Sequence, residues 1–136
     1  MKSLLIYILL LFPIFAIGQT NSKTDTSSYR LVPKPFVQQM PTFLGGDEAL
    51  FNYIKVNLRY PEKAKQAKIQ GTVFVTFLVK ADGRLNNIKL LQGIGYGCDE
   101  EAIRLVQTMP NWKPAKDKGE NVDIQMNLPI KFKLNN

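Results

Sequence analysis

Histidine is absent from this sequence. Its absence removes most metal sites, the Ser-His-Asp triad and the Cys-His dyad together. There is one cysteine, Cys98, so no internal disulfide can form. A small domain without a bridge must hold together by its core. No carboxylate pair flanks a strand end and no activated nucleophile can be named. The expectation is therefore a protein that is not an enzyme and that carries no cofactor and no metal. Acidic residues are in deficit, 11 against 18 Lys and Arg, for a formal charge of +7 among 136 residues. That excess serves solubility, and it also suits contact with an anionic membrane surface or an acidic partner. No nucleic-acid-binding motif accompanies it, so nucleic acid is not an expected partner.

A long hydrophobic run is also missing. The opening "MKSLLIYILLLFPIFAIGQT" has an apolar stretch from Leu4 to Ile17, interrupted by Pro13. It falls short of the ~20 residues that cross a bilayer. Lys2 precedes it, and the small residues Ala16 and Gly18 close it. Residues 1–18 read as a signal peptide, with Gln19 as the new N-terminus and the periplasm as destination. No cysteine lies at the cleavage site, which argues against a lipoprotein. The alternative is an uncleaved segment anchored in the inner membrane.

What is present after the leader divides in two. Residues 19–39 are polar, then punctuated by proline, and read as a flexible linker. Such a tether of about twenty residues reaches ~70 Å fully extended and ~25 Å as a coil. Residues 40–134 read as one folded domain. In "GGDEALFNYIKVNLRYP", Leu50, Phe51, Ile54 and Leu58 recur at helical spacing, with Asp47 and Glu48 in the first turn. Pro61 suits the first position of a second, short helix, "PEKAKQAK". "GTVFVTFLVKADGRLNNIKLL" is a hairpin turning at Asp82-Gly83. Its first arm is apolar on both faces, as a central strand is. Its second arm is more polar, with a break in alternation at Asn86-Asn87 that suggests a bulge. "GCDEEAIRLVQTMP" is a helix with Asp99 as its cap and Ala102, Ile103, Val106 and Met109 inward. "NWKPAKDKGE" reads as a loop.

The last segment, "VDIQMNLPIKFKL", is apolar at every second position from Val122 to Leu134, which predicts a strand with one buried face. Pro129 interrupts it chemically, because proline has no N–H to give to a ladder. Proline is tolerated at a sheet edge when its nitrogen faces outward. In an antiparallel ladder successive residues alternate in the side to which they bond. If Pro129 faces outward, so do Asp123, Gln125, Asn127 and Lys131. The split β-α-β order then predicts an α+β fold: a three-stranded antiparallel sheet, order second, first, third, with helices packed on one face. Pro129 also blunts edge-to-edge aggregation, and that reading stands beside a functional one.

Trp112, in a loop, reads as a lid on the core rather than a partner contact. Cys98, at a helix start where a thiol pKa can fall, reads as a small packing residue. Lys63, Lys65 and Lys68 form either a solvated face or a patch for anionic lipid or an acidic peptide. "GIGYGC" reads as a flexible turn, since an acidic helix start would repel phosphate.

The stretch from Pro41 to Ala115 resembles the TonB C-terminal domain family of bacterial envelope proteins. The matching features are Tyr60-Pro61 opening a short helix, Gly71 and the strand after it, the Asp82-Gly83 turn, "GCDEEA", "MPNWKPA" and the final "LPIKFKL". Their order and spacing carry the resemblance, which covers about residues 40–134. It implies the same three-stranded fold. It implies that the last strand accepts an extended segment of an outer-membrane receptor by β-strand addition. It also draws in Arg59 and Tyr60, which precede the short helix. The partner-binding residues expected are thus Arg59, Tyr60, Asp123, Gln125, Asn127, Pro129 and Lys131. A full transducer of this family retains an anchor and a long proline-rich spacer. The cleavable leader and short linker here favour a periplasmic binding domain, with an anchored energy transducer as the alternative. The same edge could pair with a second copy of the chain.

Overall fold

A computed structural model describes residues 37–135. The expected signal peptide and most of the expected linker lie outside the described residues. Main-chain pairing begins at Gln39, which exchanges hydrogen bonds of 3.0 and 2.9 Å with Lys116.

Three helices and five strands follow: α1 Gly46–Asn57, α2 Glu62–Gln66, β1 Gly71–Val79, β2 Leu85–Gln92, α3 Cys98–Gln107, β3 Ala115–Asp117, β4 Glu120–Val122 and β5 Ile124–Phe132. The main sheet is antiparallel in the order β2-β1-β5, and the protein is α+β as expected. β1 is central. Its Val73, Val75, Phe77 and Val79 are buried under the helices, while Phe74 and Leu78 on its other face are half-buried. α3 packs over β1 and β2.

The turn between β1 and β2 depends on Gly83. Its φ is +88°, in the region that glycine occupies without strain. Its N–H donates to Lys80 and its carbonyl accepts from Trp112, both at 2.8 Å. A Cβ there would lie 2.3 Å from the Trp112 carbonyl oxygen. β2 carries two irregularities, between the partners of Phe74 and Val75 and between those of Thr76 and Leu78. The second contains Asn87 at φ +51°, where the alternation breaks in the sequence.

The structure departs from the sequence pattern at four places. In α1 the buried side chain is Leu50, with Tyr53 and Ile54 packed beside it, whereas Phe51 is 69% exposed. One residue past Leu50 is a turn of about 100°, which carries Phe51 off the core stripe. Tyr53 fills the place: its ring lies tilted against Phe43 with centroids 5.5 Å apart, and its hydroxyl donates to the Leu105 carbonyl. In α3 the fully buried Leu105 joins the inward stripe. Asp99 does not cap α3, which starts from Gly97. Its carboxylate accepts from the N–H groups of Ile94 and Gly95, tying down the glycine-rich turn. The expected loop before the last strand contains β3, which pairs with β4 as a separate hairpin through a Lys118-Gly119 turn. The alternation from Val122 onward is therefore two elements, broken at Asp123.

Trp112 is 5% exposed and lies edge-on to Phe43 and Phe77, as a lid would. Its Nε1 is buried without a hydrogen-bond partner. Cys98 is fully buried, and burial, then Asp99 and Glu100, push its thiol pKa up rather than down.

Candidate functional site

β5 forms the margin of the sheet. It pairs with β1 from Ile124 opposite Val79 to Phe132 opposite Gly71, and among the described residues no second strand pairs with it. Two observations set the direction of its main-chain groups. Pro129 lies opposite Phe74 and has no N–H, so this position suits a pair that does not exchange bonds with β1. The Met126 carbonyl accepts from Thr76 Oγ1 at 3.3 Å, so it points at β1. Even-numbered residues therefore bond to β1. The main-chain groups of Gln125, Asn127, Pro129 and Lys131 point away from the sheet.

Side chains alternate in a different sense, between the two faces. Ile124, Leu128, Ile130 and Phe132 are buried toward the helices. Gln125, Asn127, Pro129 and Lys131 are exposed on the open face. There Gln125 Nε2 donates to Thr76 Oγ1 at 2.8 Å, which ties the margin to the central strand. Thr76 was not among the residues expected from the sequence. A lone threonine in an apolar strand gives no signal of this role.

Asp123 behaves differently from the other four. It stands between β4 and β5, and its carboxylate accepts from Lys80 Nζ at 2.6 Å and from the Ala81 N–H at 2.7 Å. Burial raises its pKa, but these bonds outweigh burial and hold the carboxyl below its usual value. Asp123 thus clamps the start of β5 to the β1–β2 turn.

Arg59 and Tyr60 lie at the other end, on the helix side. The Tyr60 ring meets Phe132 edge-on at 5.6 Å, and its hydroxyl donates to the Ile69 carbonyl. Burial, then Cys98, raise the Tyr60 pKa. The Arg59 N–H donates to Glu101 Oε1 at 2.8 Å. Glu101 is also held by Arg104 through bonds of 2.6 and 2.8 Å, and Arg104 reaches the Asn57 carbonyl at 3.0 Å. Burial raises the Glu101 pKa, yet these donors bring it below the ordinary value. An open cleft of about 430 Å³ lies here, between Tyr60-Pro61 and the first turn of α3. Tyr60 therefore meets the end of β5 through Phe132, but on the opposite face from the four exposed β5 side chains. The Glu101–Arg104 pair was also missed in the sequence, although its i, i+3 spacing on a helix is a usable signal.

Among the described residues no group of three or more metal-ligating side chains occurs, and no helix is long and apolar enough to cross a membrane. No curated protein matches the chain. Solved structures similar to it include a shorter NMR structure of the Helicobacter pylori TonB C-terminal domain, 22% identical, covering 63% of this chain and 90% of that one, with a TM-score of 0.49. A longer one is 21% identical, covers 83% and 94%, and has a TM-score of 0.49. The family described as Gram-negative bacterial TonB protein C-terminal matches residues 56–134, from the end of α1 through β5. Domains of that family are non-enzymatic interaction modules, and membership supports a TonB-like role in envelope transport or energy transduction. The match spans more than half of the sequence, and the chain belongs to the TonB C-terminal family.

Proposed function

We infer that this protein is a periplasmic binding domain whose β5 edge captures an extended peptide segment of an outer-membrane receptor by strand addition. The observation that carries this reading is the open margin of β5, with the main chain of Gln125, Asn127, Pro129 and Lys131 turned outward. Those groups are what an added strand needs. Asp123 sets the start of the edge through its clamp on the β1–β2 turn. Arg59 and Tyr60 flank its other end, where Tyr60 packs on Phe132. A guest making four or five ladder bonds gains about 2–7 kcal/mol before ordering costs. Micromolar binding needs about 8 kcal/mol. Backbone pairing alone is weak, so side-chain contacts at Gln125, Asn127, Lys131 and Arg59, or tethering, supply the rest.

The test is a titration of the labelled protein with receptor-plug peptides, followed by amide shifts. The shifts should be largest at Gln125, Asn127 and Lys131. Shifts confined to α1 and α3 would reject strand addition. Cleavage of the leader belongs to the same reading, and N-terminal sequencing of the exported chain should begin at Gln19. A chain that still begins at Met1 would favour the anchored transducer.

A further inference from the structure

We propose that Pro129 determines which strands the β5 edge accepts, by excluding a second copy of this chain more strongly than it excludes a foreign guest. The reason is symmetry. Two identical edges pair through a two-fold axis, so residue i of one faces residue j of the other and the reverse. Any defect in the paired stretch then counts twice. Pro129 has an outward carbonyl but no N–H, in the same row as the donors of Gln125, Asn127 and Lys131. A foreign strand laid along this row loses one bond at Pro129.

The loss cannot be avoided by sliding. A two-fold pairing centred between Asn127 and Pro129 would make about eight ladder bonds in a donor-complete strand and makes about six here. Two-fold registers that bypass Pro129 keep Gln125 and Asn127 alone, because Asp123 breaks the strand beyond them. Otherwise they set Lys131 against its own copy, with like charges opposed. A foreign strand has no such symmetry and can use the whole run from Gln125 to the Pro129 carbonyl. The second margin of the sheet adds no alternative of this kind, since the two irregularities of β2 interrupt a regular ladder there. α3 packs over β1 and β2. The exposed β5 side chains on the open face leave room for substitution at position 129.

The self-association half of this proposal stands on the edge geometry alone, while the guest half rests on the reading of β5 as a capture edge. The experiment compares the chain purified from the periplasm of an expression host with its Pro129→Thr variant, using sedimentation equilibrium and amide exchange. Restoring the donor should strengthen self-association on the order of ten- to a hundredfold, with new protection at Gln125, Asn127 and residue 129. Binding of a synthetic heptapeptide of alternating valine and threonine should strengthen only by about the square root of that factor. Unchanged self-association in both Pro129→Thr and Pro129→Val would overturn the proposal. So would protection that appears on the helices, or a gain for the peptide equal to the gain for the dimer. A peptide that fails to bind the wild-type chain while the variant dimerises through β5 would sink the capture reading and leave the symmetry argument standing.

Discussion

Replacing Asp123 with alanine should destabilise the domain and flatten its response to acid. The carboxylate holds Lys80 Nζ at 2.6 Å and the Ala81 N–H at 2.7 Å, with side-chain exposures of 26% for Asp123 and 32% for Lys80. A hydrogen bond to a charged group contributes about 1.5–3 kcal/mol. Partial exposure screens this pair, so a loss of about 1–2.5 kcal/mol is expected. For a domain of this size that lowers Tm by about 5–15 °C, measured by calorimetry at neutral pH. The sign of the pH effect follows from the depressed folded pKa of Asp123. Its contribution is fully present above the ordinary carboxylate value, ~3.9, and is lost as pH falls through the lower folded value. Wild-type stability should therefore fall on acidification below about pH 4, and the variant should lose part of that slope. Asp123→Asn keeps an acceptor for Ala81 but no charge, and should fall between the two. An alanine variant with the wild-type Tm and the wild-type acid slope would show that the clamp holds nothing.

Gly83→Ala should cost about 2 kcal/mol or more, since the new methyl combines a positive φ with a 2.3 Å approach to the Trp112 carbonyl; urea unfolding followed by Trp112 fluorescence reads it. Leu105→Ala should cost about 2–5 kcal/mol, while Phe51→Ser, at a site 69% exposed, should change stability by no more than about 0.5 kcal/mol in the same assay. Glu101→Gln should cost about 1–2 kcal/mol by weakening the hold on Arg104 and on the Arg59 N–H. It should also remove part of the acid sensitivity, because the Glu101 pKa is depressed in the fold.

The helices and the hairpin were legible because each rests on periodicity within one segment, and the strand order because the split β-α-β succession and Pro129 together place the first strand in the middle. Val73, Val75, Phe77 and Val79 alternate, and so do Ile124 to Phe132. The β3–β4 hairpin was not legible, since strands of three residues are too short to show a period. Phe51 and Leu105 show the limit for helices. Several apolar residues compete for one stripe, and the neighbouring surface selects among them. Asp99 shows it for caps: the same carboxylate can serve the helix start or the turn before it, and the turn took it.

By itself the sequence determined that a proline stands in the last strand and that one face of that strand is apolar. Both are local properties of the chain, and together they demanded an edge. Only the tertiary structure decided what meets that edge. Asp123 finds Lys80 across 43 residues of chain, Tyr60 finds Phe132, and Gln125 finds Thr76. Such partners are chosen by the packing of whole elements, which no single stretch of sequence encodes.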